Sequence, residues 1–236
     1  MAAASPILSL ICAALALVGL GGAYFGLIPP IAGFQTFAAG ALLGGIFSTV
    51  LALIGIFLTR GQVDPEGRMK ALIGLSISLG LLIIVLGAAS TGGDAPPIND
   101  ITTDLTNPPA FADGELVADY RGRDMSYPAE FVEVVRESYA DLAPLPMAEA
   151  PADAFAKAIR AAEALGWEVV AKDGGVGAFY AKDTTSIFRF VDDIVVRVRP
   201  DASGSILDIR SKSREGKSDL GANAKRINAF FDELGR

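Results

Sequence analysis

Long apolar runs without a charged side chain fill the first third of the chain. They cover residues 6–28, 36–59 and 71–90. Each run reaches the length of about 20 residues that a helix needs to cross a bilayer. Pro29 and Pro30 end the first run, because proline lacks the N–H of a helix interior. The pattern predicts three transmembrane helices within residues 1–93.

Basic residues predict the orientation of these helices. Arg60, Arg68 and Lys70 lie between the second and third runs, and the link between the first two runs carries no charge. Short loops rich in Lys and Arg stay in the cytoplasm. We therefore expect a bacterial inner (cytoplasmic) membrane protein with a cytoplasmic N-terminus and a periplasmic C-terminal domain. The first run lacks a basic n-region and exceeds the usual signal-peptide length, so we expect it to be retained.

Gly40 and Gly44 form a GxxxG step in the second run. Small residues at this spacing let helix backbones approach closely. Two interpretations follow: dimerisation of two copies of the chain, or packing within one three-helix bundle. The runs hold no ionisable residue, which argues against a proton or ion pathway. The helices are predicted to be an anchor.

Residues 94–236 have the shorter periodicities of a water-facing domain. Residues 94–124 are rich in Pro, Asn, Asp and Thr, which predicts an extended strap. Apolar residues at helical spacing predict helices over residues 128–140, 152–165 and 219–234.

Short strands are predicted between the last two of these helices. Their ranges are 167–171, 176–181, 186–190, 194–199 and 205–211. Links of hairpin length join them, and Asp192-Asp193 is predicted to be one of the turns. An antiparallel sheet of four to five strands with two or three helices makes a two-layer α+β domain.

Composition excludes several kinds of catalytic site, metal site and partner. The 236 residues include no histidine, so Ser-His and Cys-His pairs and His-ligated zinc sites are excluded. The one cysteine, Cys12, lies in the first apolar run. Residues 94–185 carry 7 basic and 17 acidic groups, and residues 186–236 carry 10 basic and 8 acidic groups. A formal net charge of −7 argues against nucleic acid as a partner.

Alternation along the predicted strands gathers basic residues on one face of the sheet. They are Arg189, Arg197, Arg199 and Arg210. Like charges on neighbouring strands repel, so such a stripe needs carboxylates or a bound anion, and Asp208 is the obvious internal partner. A solvated face with local ion pairs and an anion-binding face both fit this pattern.

A basic Ser/Gly loop follows the last strand and precedes a helix predicted to begin near Ser218. The N-terminus of a helix attracts anions through its free N–H groups and its dipole. The predicted anion cradle consists of Arg210, Lys212, Ser213, Arg214, Lys217 and Ser218. The alternative is that these residues only cap the helix. The loop is not a P-loop, because Ser211 stands where that motif needs glycine.

Catalytic interpretations are few. Ser213 with Lys217 is the nearest Ser-Lys pair. The carboxylate candidates are Asp192 with Asp193 and Asp100 with Asp104, which turn formation explains equally well. We assign no catalytic residue, metal ligand or cofactor.

Four segments together resemble the domain of unknown function 1499 family. They are NDITTD at residues 99–104, NPPAF at 107–111, FRFVDD at 188–193 and the stretch 208–227. The resemblance covers roughly residues 98–234 and implies that residues 98–111 pack on the domain. It implies no catalytic residues.

The expected function is a binding or scaffold module beside the membrane. Its ligand would be an anionic group, such as a phosphate-bearing lipid or glycan, or an envelope protein partner. One alternative is a non-catalytic subunit of a larger membrane assembly. The other is a hydrolase with a Ser-Lys or carboxylate site.

Overall fold

The computed structural model of the chain describes residues 4–62, 64–90 and 93–236. By its internal contacts the chain divides into two compact units. The first comprises residues 1–93 and 185–189, and the second comprises residues 94–184 and 190–236.

The first unit is built from apolar helices. Their bounds are α1 Ala4–Tyr24, α2 Pro30–Ala38, a π-helical segment Ala39–Gly44, α3 Gly45–Leu58 and α4 Pro65–Ser90. Segments Ala4–Tyr24, Pro30–Leu58 and Pro65–Gly87 are long and apolar enough to span a membrane. The link predicted before residue 36 is helical instead. Pro30 occupies the first turn of α2, where its missing N–H costs nothing.

Small and hydroxylated residues hold these helices together. Ser9 Oγ donates to the Gly74 carbonyl at 2.9 Å, and Thr49 Oγ1 donates to Ser78 Oγ at 2.8 Å. Lipid tails are as apolar as such helices, so the hydrophobic effect does not drive helices together within a bilayer. Close packing of small residues and hydrogen bonds between helices stabilise the association instead.

The GxxxG step lies against α1 of the same chain. A Cβ added at Gly40 would stand 2.6 Å from the Cys12 carbonyl oxygen, and one at Gly44 would stand 2.5 Å from Cys12 Sγ. The close approach that glycine permits is thus used within the bundle. A homo-oligomer formed through Gly40 and Gly44 stays a prediction.

The second unit is α+β, as predicted, and contains a six-stranded antiparallel sheet. The strands are β1 Asp100–Thr102, β2 Leu145–Met147, β3 Glu168–Asp173, β4 Ala178–Thr184, β5 Val191–Asp201 and β6 Gly204–Ser213. Their order is β1-β6-β5-β4-β3, and β2 pairs with the beginning of β6. The sequence predicted the long strands and missed the three-residue strands β1 and β2.

One face of the sheet packs on helices. These are α5 Phe131–Ser138, α6 Pro151–Ala164 and α7 Ala222–Glu233. Val196 and Ile209 from neighbouring strands belong to this core, as does Trp167, whose ring stacks on Phe230 at 5.0 Å. Alternate residues of β5 and β6 are apolar because only this face is filled by helix side chains.

Two predictions about β5 were wrong. Residues 186–190 form no strand, since β4 pairs directly with β5 and Arg189 has a φ of 61°. Asp192 and Asp193 form no turn, because both lie inside β5, where they are 3% and 1% exposed. Each of these two carboxylates pairs with an arginine from another part of the domain, which stabilises them inside the strand in spite of their turn propensity.

The strap, residues 94–124, covers the other face of the sheet. Its first part supplies β1, which pairs with the end of β6. Val117 and Tyr120 form a second, smaller core with Tyr180 and Val195 of the sheet. The strap therefore forms a third layer of irregular chain on this face of the sheet. The sheet residues that face the strap are largely charged.

Candidate functional site

The residues of the predicted anion cradle lie on β6 and on the loop that joins it to α7. Because successive side chains of a strand point to opposite faces, Arg210 and Lys212 face the strap and Ser213 faces α7. Asn223 of α7 donates to Ser213 Oγ at 3.1 Å. The structure thus divides the predicted cradle between two sides of the sheet.

Arg210 is buried beneath the strap, with 2% of its surface exposed. Its Nε and Nη2 donate to the two carboxylate oxygens of Asp100 at 2.9 and 2.7 Å. Its guanidinium carbon lies 4.8 Å from the ring centre of Phe111 and 5.1 Å from that of Tyr127. Arg210 is therefore committed to its own chain and holds the strap on the sheet.

Lys212 shares the same carboxylate, with its Nζ 3.1 Å from Asp100 Oδ2. Asp100 is fully buried, so two cations neutralise one carboxylate at this position. Lys212 keeps a small exposed fraction and lies at the margin of the cluster.

Arg214 forms a second cluster at the end of β6. Its Nη2 lies 2.7 Å from Asp193 and 2.9 Å from Asp119, and Arg123 Nη1 lies 2.7 Å from Asp193. Burial alone would lower the pKa of Arg214, but hydrogen bonds to Asp193 and then to Asp119 raise it overall. The hydrogen bond and charge of Arg214 lower the pKa of Asp119. Arg214 and Asp119 therefore both stay ionised.

Lys217 and Ser218 remain at the surface of the loop. Lys217 is exposed and has no carboxylate within ion-pair distance in the described part of the chain. The backbone N–H groups of residues 215–218 also donate to no acceptor among the described residues. Of the predicted cradle, this segment is the part left open to a ligand.

The start of α7 differs from the prediction. The helix begins at Ala222 after Gly221, whose φ is 80°, and not near Ser218. The carboxylate of Asp219 accepts hydrogen bonds from the N–H groups of Gly221 and Asn223 at 2.8 and 2.9 Å. A side chain of the protein therefore occupies the anion position at the helix N-terminus, because Asp219 satisfies free N–H groups there.

The predicted basic stripe is a set of internal ion pairs. Arg197 and Arg199 both bind Asp208, at 2.8 and 2.7 Å, and both lie within 3.3 Å of Asp104 from the strap. Asp208 was the expected partner, and it is fully buried. Arg189 does not join the stripe, since it lies in the loop before β5.

The candidate catalytic pairs are separated by the fold. Asp192 and Asp193 point to opposite faces of β5, where Asp192 binds Arg226 and Asp193 binds Arg214. Asp100 and Asp104 serve different arginines, as described above. Ser213 receives its hydrogen bond from an amide, and no Lys217 contact with it is found among the described residues.

Sequence reasoning predicted Asp208 as a partner of the arginine stripe but missed the other carboxylates of these clusters. Strand alternation alone could have placed Asp193 on the strap-facing side. No periodicity links Asp104, Asp119 or Arg123 of the strap to the sheet, because these residues are brought there by irregular chain. Arg226 was overlooked since it lies on the buried side of α7, where its Nε also binds Asp183 at 2.9 Å.

Comparison with known families identifies a family whose model matches most of the second unit. The model of a family described as "Protein of unknown function (DUF1499)" matches residues 100–234, from β1 to the end of α7. Comparison with curated proteins gave no match.

Proposed function

Since the chain belongs to the family described as "Protein of unknown function (DUF1499)", we propose its function from its architecture: a membrane-anchored binding module. The apolar helices hold the module at the bilayer, and its α+β domain faces the periplasm. The module binds a phosphate-bearing group through the segment of residues 215–218.

The anchor and its charges support this location. The helices of the first unit are long and apolar enough to span a membrane. Arg60, Arg68 and Lys70 all fall between the second and third spans or in the first turns of the third. Basic residues at such positions favour the cytoplasmic side, which leaves the chain after the third span on the opposite side.

The observation that carries the binding proposal is the open end of the β6–α7 loop. The cations around it are occupied by Asp100, Asp193 and Asp119, whereas Lys217 is exposed and unpaired among the described residues. Consecutive free N–H groups near one ammonium suit the oxygens of a phosphate group. An anchored domain meets such groups on lipids and glycans at the membrane surface.

The test compares full-length wild type with Lys217→Glu in mild detergent. The matched control is Lys172→Glu, which makes the same charge change on the exposed edge strand β3. Native mass spectrometry counts bound dihexanoyl-phosphatidylglycerol in one series and inorganic phosphate in another. Losing a charge-assisted hydrogen bond, which contributes about 1.5–3 kcal/mol, should weaken binding about tenfold or more in Lys217→Glu only.

Equal binding in all three proteins would reject the loop as the binding segment. Equal loss in both variants would indicate a general effect of net charge. Binding of the lipid without binding of inorganic phosphate would assign the ligand to lipid. A protein retained by wild type and lost from Lys217→Glu would favour the alternative of a subunit in a larger membrane assembly.

A further inference from the structure

A groove lies between the strap and the sheet, on the side away from residues 215–218 of the β6–α7 loop. Two adjoining cavities of about 300 and 430 Å³ form it, and both are lined by Asp173 and Tyr180. Phe111 from the strap closes one cavity and Asp113 closes the other. We call this the strap groove.

Tyr180 is a buried residue with an unsatisfied polar end. Only 4% of its surface is exposed, and its hydroxyl makes no hydrogen bond with any described residue. Burial, followed by the charges of Asp173 and Asp113, raises the pKa of Tyr180. Because Tyr180 lines both cavities and its hydroxyl has no partner among the described residues, a ligand in the strap groove can supply a hydrogen bond to this hydroxyl.

The rim of the strap groove is acidic. Asp113 and Glu115 lie on the strap side, and Asp173 is the last residue of β3. The Oδ1 atoms of Asp113 and Asp173 each accept backbone hydrogen bonds from residues that follow them in the chain. Arg197 on the floor is already neutralised by Asp208 and Asp104. The charge that faces a ligand is therefore negative.

Two large apolar side chains stand exposed at the same rim. Leu116 lines the larger cavity and is 45% exposed, and Val176 lines the smaller one and is 58% exposed. Exposed apolar residues next to a polar-rimmed groove are typical of interaction sites. Together with the aromatic floor they suit an extended segment that carries apolar residues beside a cation.

We propose that the strap groove binds a basic side chain, Lys or Arg, flanked by apolar residues in an extended segment of a partner protein. The cation lies between Asp113 and Asp173 and donates a hydrogen bond to Tyr180 Oη. The apolar neighbours contact Leu116 and Val176. This site is separate from the phosphate segment and does not depend on Lys217.

The probe is a fluorescent peptide, Ac-Ala-Leu-Arg-Leu-Ala-amide, titrated into the full-length protein in detergent and followed by fluorescence polarisation. The comparison peptide replaces arginine with neutral citrulline. The variant Asp113→Asn with Asp173→Asn keeps the oxygens that accept the turn hydrogen bonds and removes both charges. A single surface charge pair contributes little, but the double variant removes two of them. We therefore expect about a tenfold loss of affinity.

The matched control is Glu137→Gln with Glu163→Gln, which removes the same charge from exposed positions on α5 and α6. A second variant, Tyr180→Phe, should weaken peptide binding without lowering the unfolding temperature, since it loses no internal hydrogen bond. Equal affinities for the arginine and citrulline peptides, or equal loss in the control, would overturn the proposal. Arginine amide binding as tightly as the peptide would also overturn it, in favour of a small cation.

Discussion

At the scale of single residues, this domain is characterised by buried ion pairs. Asp100 and Arg210 lie 2.7 Å apart with almost no exposed surface. Removing Arg210 would take two hydrogen bonds from the buried Asp100 carboxylate and leave Lys212, at the margin of the cluster, as its nearest cation among the described residues. Because Arg210 binds strand β1 and also contacts Phe111 of the strap, its loss should affect the whole third layer.

Arg210→Met is therefore expected to lower the free energy of unfolding by about 3–5 kcal/mol. Trp167 is the only tryptophan and lies in the helix-side core, so its fluorescence reports unfolding of this domain within the full-length protein. Thermal unfolding in detergent gives the measurement. Arg160→Met, at an exposed position of α6, is the control and should change little. A midpoint shared by Arg210→Met and the control would contradict the role of Arg210.

At the scale of elements, the connection from β6 to α7 joins an interior strand of the sheet to a capped helix. Gly221 adopts a left-handed φ of 80°, which glycine reaches without strain. Asp219 then places its carboxylate on the first N–H groups of α7. The loop orients α7 so that Arg226 meets Asp192 and Asp183 on the helix side of the sheet.

Asp219→Ala should lower stability by about 0.5–2 kcal/mol, because the carboxylate that caps α7 is removed. Ser218→Ala should cost less, since Ser218 Oγ accepts only a 3.3 Å hydrogen bond from Leu220. Chemical denaturation of the full-length protein, followed by Trp167 fluorescence, compares the two. If Ser218→Ala were the more destabilising change, the helix would be capped as the sequence pattern predicted.

At the scale of the whole molecule, an apolar anchor and a charged domain share one chain. The spans hold no charge over residues 36–59 and 71–90, whereas the second unit buries several ion pairs beside its apolar core. Helices that span a bilayer are solvated by lipid and a charged domain by water, so the two units differ in what their polar groups require.

The orientation of the chain is tested with alkaline phosphatase, which is active only outside the cytoplasm, fused after Arg236. High activity is expected, because the basic residues between the second and third spans hold that link inside. Replacing Arg60, Arg68 and Lys70 with Gln should lower the activity by weakening the bias. An inactive fusion that is nevertheless expressed at full length would reverse the proposed orientation.

Much of the architecture could be predicted from local pattern. The lengths of the apolar runs predicted the three spans. Alternation in residues 194–199 and 205–211 assigned the two faces of β5 and β6 correctly. The helices of the second unit were predicted to within three residues at each end. These features depend on neighbours within a few positions, where periodicity carries the information.

The partners of the charged residues were decided only by the tertiary structure. Asp192 and Asp193 look like turn residues in sequence, yet they are strand residues because Arg226 and Arg214 arrive from distant segments. The same holds for Arg210, which was expected to face a ligand and instead binds Asp100, more than a hundred residues earlier. Sequence determined which face the side chains of residues 194–199 and 205–211 occupy. The crossing of strap and sheet determined which charges meet, because ion pairing depends on distance in space and not along the chain.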